Sequence, residues 1–139
     1  MKTANRSYKI ASWTLMLGGI IHTVSDLMAP ETAERKEIML QMKAFTGQVL
    51  GAEFNLLSFF QGFSFMMGLL LFGYGALNLL ILKNNQEADL PYNILIFNVV
   101  ITLAAVLLSI QYFFIVPVLL TGIPFLGFVT ALLTRKRAA

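Results

Sequence analysis

The sequence predicts an all-α membrane protein, a four-helix bundle with a short external amphipathic helix between helices one and two. Three observations predict it. The chain has 139 residues, of which 58% are hydrophobic and only 12% charged, against roughly 25% charged in an average soluble domain. Uncharged stretches run from Leu56 to Leu82 and from Tyr92 to Leu133, which is 27 and 42 residues; a membrane span takes about 20. The charges collect at the two ends and in the segments between these stretches. The chain reads as a single integral membrane domain, 1–139, with spans at about 9–29, 54–82, 92–112 and 118–134.

The head, MKTANRSYK, carries Lys2, Arg6 and Lys9 and reads as a short basic segment ahead of the first span. The apolar run Ile10–Met28 is longer than a signal-peptide core, is interrupted near its end by His22 and Asp26, and has no small-x-small cleavage site before Pro30. It is read as a span, with Trp13 as an interfacial aromatic.

Pro30 opens a polar segment, PETAERKEIMLQMKAF. Proline suits the first turn of a helix and acidic residues suit its N-terminus. Ile38, Met42 and Phe45 recur at helical spacing, so this helix has one apolar stripe and either lies on the membrane surface or forms an ordinary extramembrane connection. Gly47 and Gly51 then break the chain, and Glu53 and Asn55 read as capping residues for the next span.

The second span is punctuated by Gly62, Gly68, Gly73 and Gly75, small residues that let backbones approach closely in lipid. After the turn formers Asn84, Asn85, Asp89 and Pro91, the 42-residue uncharged stretch is twice one span and requires a turn; Gln111–Pro117 and Gly122–Pro124 are the candidates, and a tight turn near Tyr112–Pro117 is favoured. Asn98, Thr102 and Ala105 share one face of the third span, a helix-packing surface.

Four spans put both termini on one side. That side holds Lys2, Arg6, Lys9, Lys83, Arg135, Lys136 and Arg137, seven basic residues, and the other holds Arg35, Lys36 and Lys43, three. The positive-inside rule then places both termini in the cytoplasm and the Pro30–Gly51 segment outside. Basic ends of this kind set orientation rather than bind nucleic acid, and no nucleic-acid partner is expected.

His22 and Asp26 are four residues apart, hence on one face of the first helix. Ionisable groups inside a membrane are expensive and are candidates for function. Ser58, Gln61 and Ser64 are spaced three apart and occupy the matching outer half of the second span; Ser109, Gln111 and Thr121 fall at the same level on the last two. The candidate ligand-binding pocket is therefore His22, Asp26, Ser58, Gln61, Ser64 and Gln111. Interhelical hydrogen bonding alone also accounts for these residues.

Catalytic signatures are sparse. One histidine cannot supply a bis-histidine haem site, no His/Asp/Glu spacing suggests a metal, and the chain has no cysteine. No glycine-rich loop precedes a helix in the phosphate-binding manner. No cofactor or metal is expected. Ser64, His22 and Asp26 compose a triad on paper only, because membrane helices commonly contain serine.

GGIIHTVSDL and SFFQGFSFMMGLLL carry a resemblance. With Gly19, His22 and Thr23 in helix one, and Phe59 or Phe60, Gly62 and Phe63 opening helix two, the first eighty or so residues resemble an uncharacterised family of small bacterial four-helix integral membrane proteins, distantly DoxX-like. The resemblance implies the four-helix architecture and a bacterial inner membrane, and no particular activity.

Two classes of function follow. One is a non-enzymatic protein that binds a lipid or small apolar molecule in an outer-leaflet pocket, or serves as an accessory subunit of a larger membrane complex. The wall formed by Phe59, Phe60, Phe63, Phe65, Met66 and Met67 suits such a ligand and suits helix packing equally. The other is a small membrane enzyme using His22 and Asp26 for acid–base chemistry on a lipid-like substrate. A proton-coupled carrier requires more helices than one chain provides, and hence a homo-oligomer.

Overall fold

A computed structural model describes residues 2–85 and 90–135, with Lys2 described in its backbone only. The described chain is mostly helical, with five helices. These are α1 (Lys2–Leu27), α2 (Ala33–Ala44), α3 (Leu56–Asn84), α4 (Tyr92–Tyr112) and α5 (Ile115–Thr134). Between α2 and α3 stand two short strands, β1 (Thr46–Val49) and β2 (Ala52–Asn55), so the expectation of an all-α chain is corrected there.

The strands pair antiparallel with Thr46 opposite Asn55 and Val49 opposite Ala52. That register leaves a two-residue loop, Leu50–Gly51, with φ of 52° and 81°. Two positive φ values are what the favoured tight hairpin turn requires, and glycine supplies the second without strain. The glycines read as chain breaks are hairpin residues. Gly47 also lies under the Phe54 ring, where a Cβ would stand 2.9 Å from two ring carbons. Glu53 accepts from Gln48 Nε2 across the hairpin at 3.1 Å rather than capping a helix. Asn55 does cap, its Oδ1 accepting from the Ser58 N–H at 2.9 Å.

Helix α2 begins at Ala33, later than Pro30 suggested, because Thr32 is its N-cap: the Thr32 hydroxyl accepts from the Arg35 N–H at 3.2 Å. Its own backbone N–H, and then the Thr32 hydroxyl, hold the Glu34 carboxyl below its ordinary range. No residue of α2 is buried, and the stripe residues Ile38 and Phe45 are 56% and 63% exposed.

Helix α1 starts at Lys2, so the basic head belongs to the helix. The reason is a stripe beneath the charges: Ala4, Tyr8, Ala11 and Leu15 recur at spacings of four, three and four and are all buried. The long apolar run is divided at Phe113–Phe114, and Pro117 falls in the first turn of α5, where its missing N–H costs nothing. Arg135 stacks over the Tyr92 ring at 5.0 Å, and the Thr121 hydroxyl lies 3.3 Å from Ser109 Oγ, so α4 and α5 run antiparallel from one end to the other.

The chain divides into two compact units, one of Met1–Gly18 with Leu71–Ala139, the other Gly19–Leu70. In the first, Tyr8, Ala11, Leu15, Leu90, Leu95, Phe128 and Ala131 form the core, with Leu71, Tyr74 and Val99 packed against it. The core thus draws on α1, α3, α4 and α5. Close approach is built in by glycine: a Cβ on Gly75 would stand 2.5 Å from Met16 N and 2.6 Å from Ser12 O.

Three helices, α3, α4 and α5, are long and apolar enough to cross a membrane. Within their most apolar windows only 22, 22 and 17% of residues are buried. Water would face an apolar surface far larger than soluble monomers expose, which makes the chain compatible with an integral membrane protein. Helix α1 has the length, at 26 residues, but Ser12, Thr14, His22, Thr23, Ser25 and Asp26 dilute its apolar character.

Candidate functional site

In the unit Gly19–Leu70, α1 and α3 meet at a small-residue contact. A Cβ placed on Gly68 would lie 2.1 Å from Thr23 Oγ1 and 3.2 Å from the Gly19 carbonyl. Thr23 turns its hydroxyl back to that carbonyl at 3.0 Å, which satisfies it along its own helix. Glycine at 68 is therefore what permits the approach.

One turn along, the approach brings His22 to Ser64. His22 Nε2 lies 3.1 Å from Ser64 Oγ and 3.2 Å from the Ser64 carbonyl oxygen. A protonated Nε2 donates to the carbonyl; an unprotonated Nε2 accepts the Ser64 hydroxyl. One serine thus satisfies either tautomer. His22 and Ser64 are half-buried, as are Asp26, one turn beyond His22, and Gln61, one turn before Ser64. The side chains of Asp26 and Gln61 make no hydrogen bond or ion pair among the described residues. Around them the α3 surface presents Phe59, Phe60, Phe63, Phe65, Met66 and Met67, each between 40 and 56% exposed. Phe59 packs on Phe54 and Phe63 at centroid distances of 5.5 and 4.7 Å.

The other expected pocket residues are placed differently. Ser58 is exposed in the first turn of α3, its N–H held by Asn55. Gln111 is exposed near the end of α4 and belongs to the other unit, where Ser109 and Thr121 bond each other.

The most completely satisfied polar cluster lies in the first unit. Tyr8 donates to Asn78 Oδ1, and Tyr74 donates to Asn98 Oδ1. Asn98 Nδ2 donates to Asn78 Oδ1 at 2.7 Å and reaches Tyr8 Oη at 3.3 Å; Asn78 Nδ2 donates to the Tyr74 carbonyl at 2.9 Å. Tyr8, Asn78 and Asn98 are at most 1% exposed. Phe128 of α5 meets the Tyr8 ring edge-on at 5.1 Å. Such a network locks helix rotation and engages every donor in it except one Asn78 Nδ2 hydrogen. The sequence reading assigned Asn98 and Thr102 to packing but missed Tyr8 and Tyr74. The signal for Tyr8 was its place in the Ala4–Leu15 stripe.

Among the described residues no group of three His, Cys, Asp or Glu side chains could hold a metal ion. The chain matches no known protein family, no curated protein and no solved structure.

Proposed function

We propose that the chain is a small four-span integral membrane protein, α1 included, that holds a lipid or other small apolar molecule beside His22 without catalysing its conversion. The bacterial four-helix family suggested by Gly19, His22, Thr23, Gly62 and Phe63 fits this architecture. One observation carries the reading. His22 is held by Ser64 in either tautomer while Asp26 and Gln61, at neighbouring turns, keep unused hydrogen-bonding capacity beside an aromatic and methionine-rich surface. A ligand with a polar head and an apolar body matches that arrangement.

The experiment is photolabelling of the purified protein with a phospholipid carrying a diazirine in its acyl chain, followed by peptide mapping. Saturable labelling of residues 56–70 is expected. Replacing His22 with Leu should weaken it about fivefold, the worth of one hydrogen bond of about 1 kcal/mol. Unchanged labelling in a folded variant would reduce His22 to helix packing.

The same contact supports a second reading. A hydroxyl 3.1 Å from an imidazole nitrogen is within reach for a base to take its proton, as a serine nucleophile requires. The Ser64 carbonyl competes, since a proton on Nε2 aimed at it leaves no lone pair for the hydroxyl. Labelling by a fluorophosphonate probe that disappears in Ser64→Ala would establish the enzymatic reading over the binding one.

A further inference from the structure

The first unit carries a groove of about 630 Å³ lined by Asn5, Arg6, Lys9, Trp13, Leu79, Leu82 and Lys83. Its composition is polarised. On α1, residues 6, 9 and 13 follow one another at spacings of three and four and so share a face. On α3, Leu82 and Lys83 lie three and four residues after Leu79, on the side of the helix where it stands. Contacts fix the relative levels: Tyr8 bonds Asn78, and Gly75 lies against Ser12, so the two helices run antiparallel in this unit. Lys83 therefore stands level with the first turns of α1, close to Arg6. Trp13 lies one turn deeper than Lys9, about 6 Å along the axis. The groove has three cations at its mouth, two leucines along its floor and an indole at its inner end.

Arg6, Lys9 and Lys83 are all exposed, and no described carboxylate lines the groove. The salt bridge of Lys36 with Glu31 lies in the other unit. Three converging cations with no counter-charge among the described residues favour an anion in the headgroup layer. Trp13 prefers the boundary between headgroup and hydrocarbon, where its ring is apolar and its N–H is wet. The spacing matches a molecule with a phosphate at one end and hydrocarbon within about 6 Å of it.

We propose that this groove is a binding site for an anionic phospholipid, with the headgroup phosphate held by Arg6, Lys9 and Lys83 and the upper acyl chain lying along Leu79, Leu82 and Trp13. The site rests on membrane embedding and is independent of His22.

Trp13 is the only tryptophan in the chain, so its fluorescence reports on this groove alone. The full-length protein in a neutral detergent is titrated with phosphatidylglycerol or phosphatidylcholine, each carrying brominated acyl chains that quench an adjacent indole. Saturable quenching by the anionic lipid is expected at about tenfold lower concentration, a discounted sum of three near-surface cations. The triple variant Arg6→Gln, Lys9→Gln, Lys83→Gln should lose that preference and keep its helical content. Should it fail to fold, the single variant Lys83→Gln should narrow the preference, and the wild-type comparison stands by itself. Equal quenching by the two lipids overturns the proposal, as does a preference that survives neutralisation. A third arm adds inorganic phosphate against sodium chloride of equal ionic strength. Equal effects are expected; selective relief of quenching by phosphate would mark a soluble phosphate ligand and overturn the lipid assignment.

Discussion

Gly73 and Gly75 stand two residues apart on α3 in different surroundings. Gly75 is buried, and a Cβ there would meet backbone atoms of Ser12 and Met16 within 2.6 Å. Backbone does not swing aside as a side-chain tip does, so alanine must push two helices apart. The expected cost of Gly75→Ala is about 1–3 kcal/mol or more. Gly73 has nothing within 4 Å of its would-be Cβ, and alanine there should gain up to about 1 kcal/mol of helix propensity. Unfolding of the two variants in detergent separates these effects; a Gly75→Ala protein as stable as wild type would refute the close approach. The sequence suggested that glycines bring helices together, but it could not say which ones. Spacing alone does not give helix rotation, and the four glycines of α3 look alike until the partner helix is in place. The same limit applies to the site. Depth and spacing place His22 near Ser64, whereas the clustering of Tyr8, Tyr74, Asn78 and Asn98 depends on rotations that only the fold supplies.

At the scale of elements, the clearest departure from sequence reasoning is the hairpin. Its strands are four residues each, too short for a period-two pattern to stand out, and its turn lacks the usual Asn-Gly or Asp-Gly signature. Leucine occupies the first turn position, with φ of 52° and its side chain 103% exposed. A left-handed conformation costs a non-glycine residue roughly 1–2 kcal/mol, less for asparagine. Leu50→Asn should accordingly stabilise the hairpin by about 1 kcal/mol, read as slower amide exchange across Thr46–Asn55. Faster exchange would mean that Leu50 makes a compensating contact. The α1 start was misread for a related reason. Lys2, Arg6 and Lys9 suggested a basic segment ahead of the span, but Arg6 and Lys9 are exposed on a helix whose buried face is Ala4, Tyr8 and Ala11. The α4–α5 break was legible because 42 uncharged residues exceed any single span and Pro117 disfavours a helix interior.

For the whole molecule, three helices long and apolar enough to cross a bilayer make the chain compatible with an integral membrane protein, and charge is what would orient it there. With four spans, the termini and the α3–α4 connection share one side. That side carries Lys2, Arg6, Lys9, Lys83, Arg135, Lys136 and Arg137, and the α2–hairpin segment carries Arg35, Lys36 and Lys43. Translocation disfavours Lys and Arg in short flanking segments, so seven against three predicts termini in the cytoplasm. The count depends on α1 being a span. It is the least apolar of the four long helices, and without it the α2–hairpin segment would move to the side of the N-terminus. Fusions of a periplasm-active phosphatase and of a cytoplasm-active fluorescent protein, at Ala139 and beside Glu34, combined with protease accessibility of a tag at the N-terminus, therefore test orientation and span number together. The expected pattern is fluorescence at Ala139 and phosphatase activity at Glu34. Reversed activities together with an external N-terminus would overturn the charge argument while keeping four spans. Fluorescence at Glu34 with phosphatase activity at Ala139 from a cytoplasmic N-terminus would remove α1 as a span, and with it the placement of His22 within the membrane.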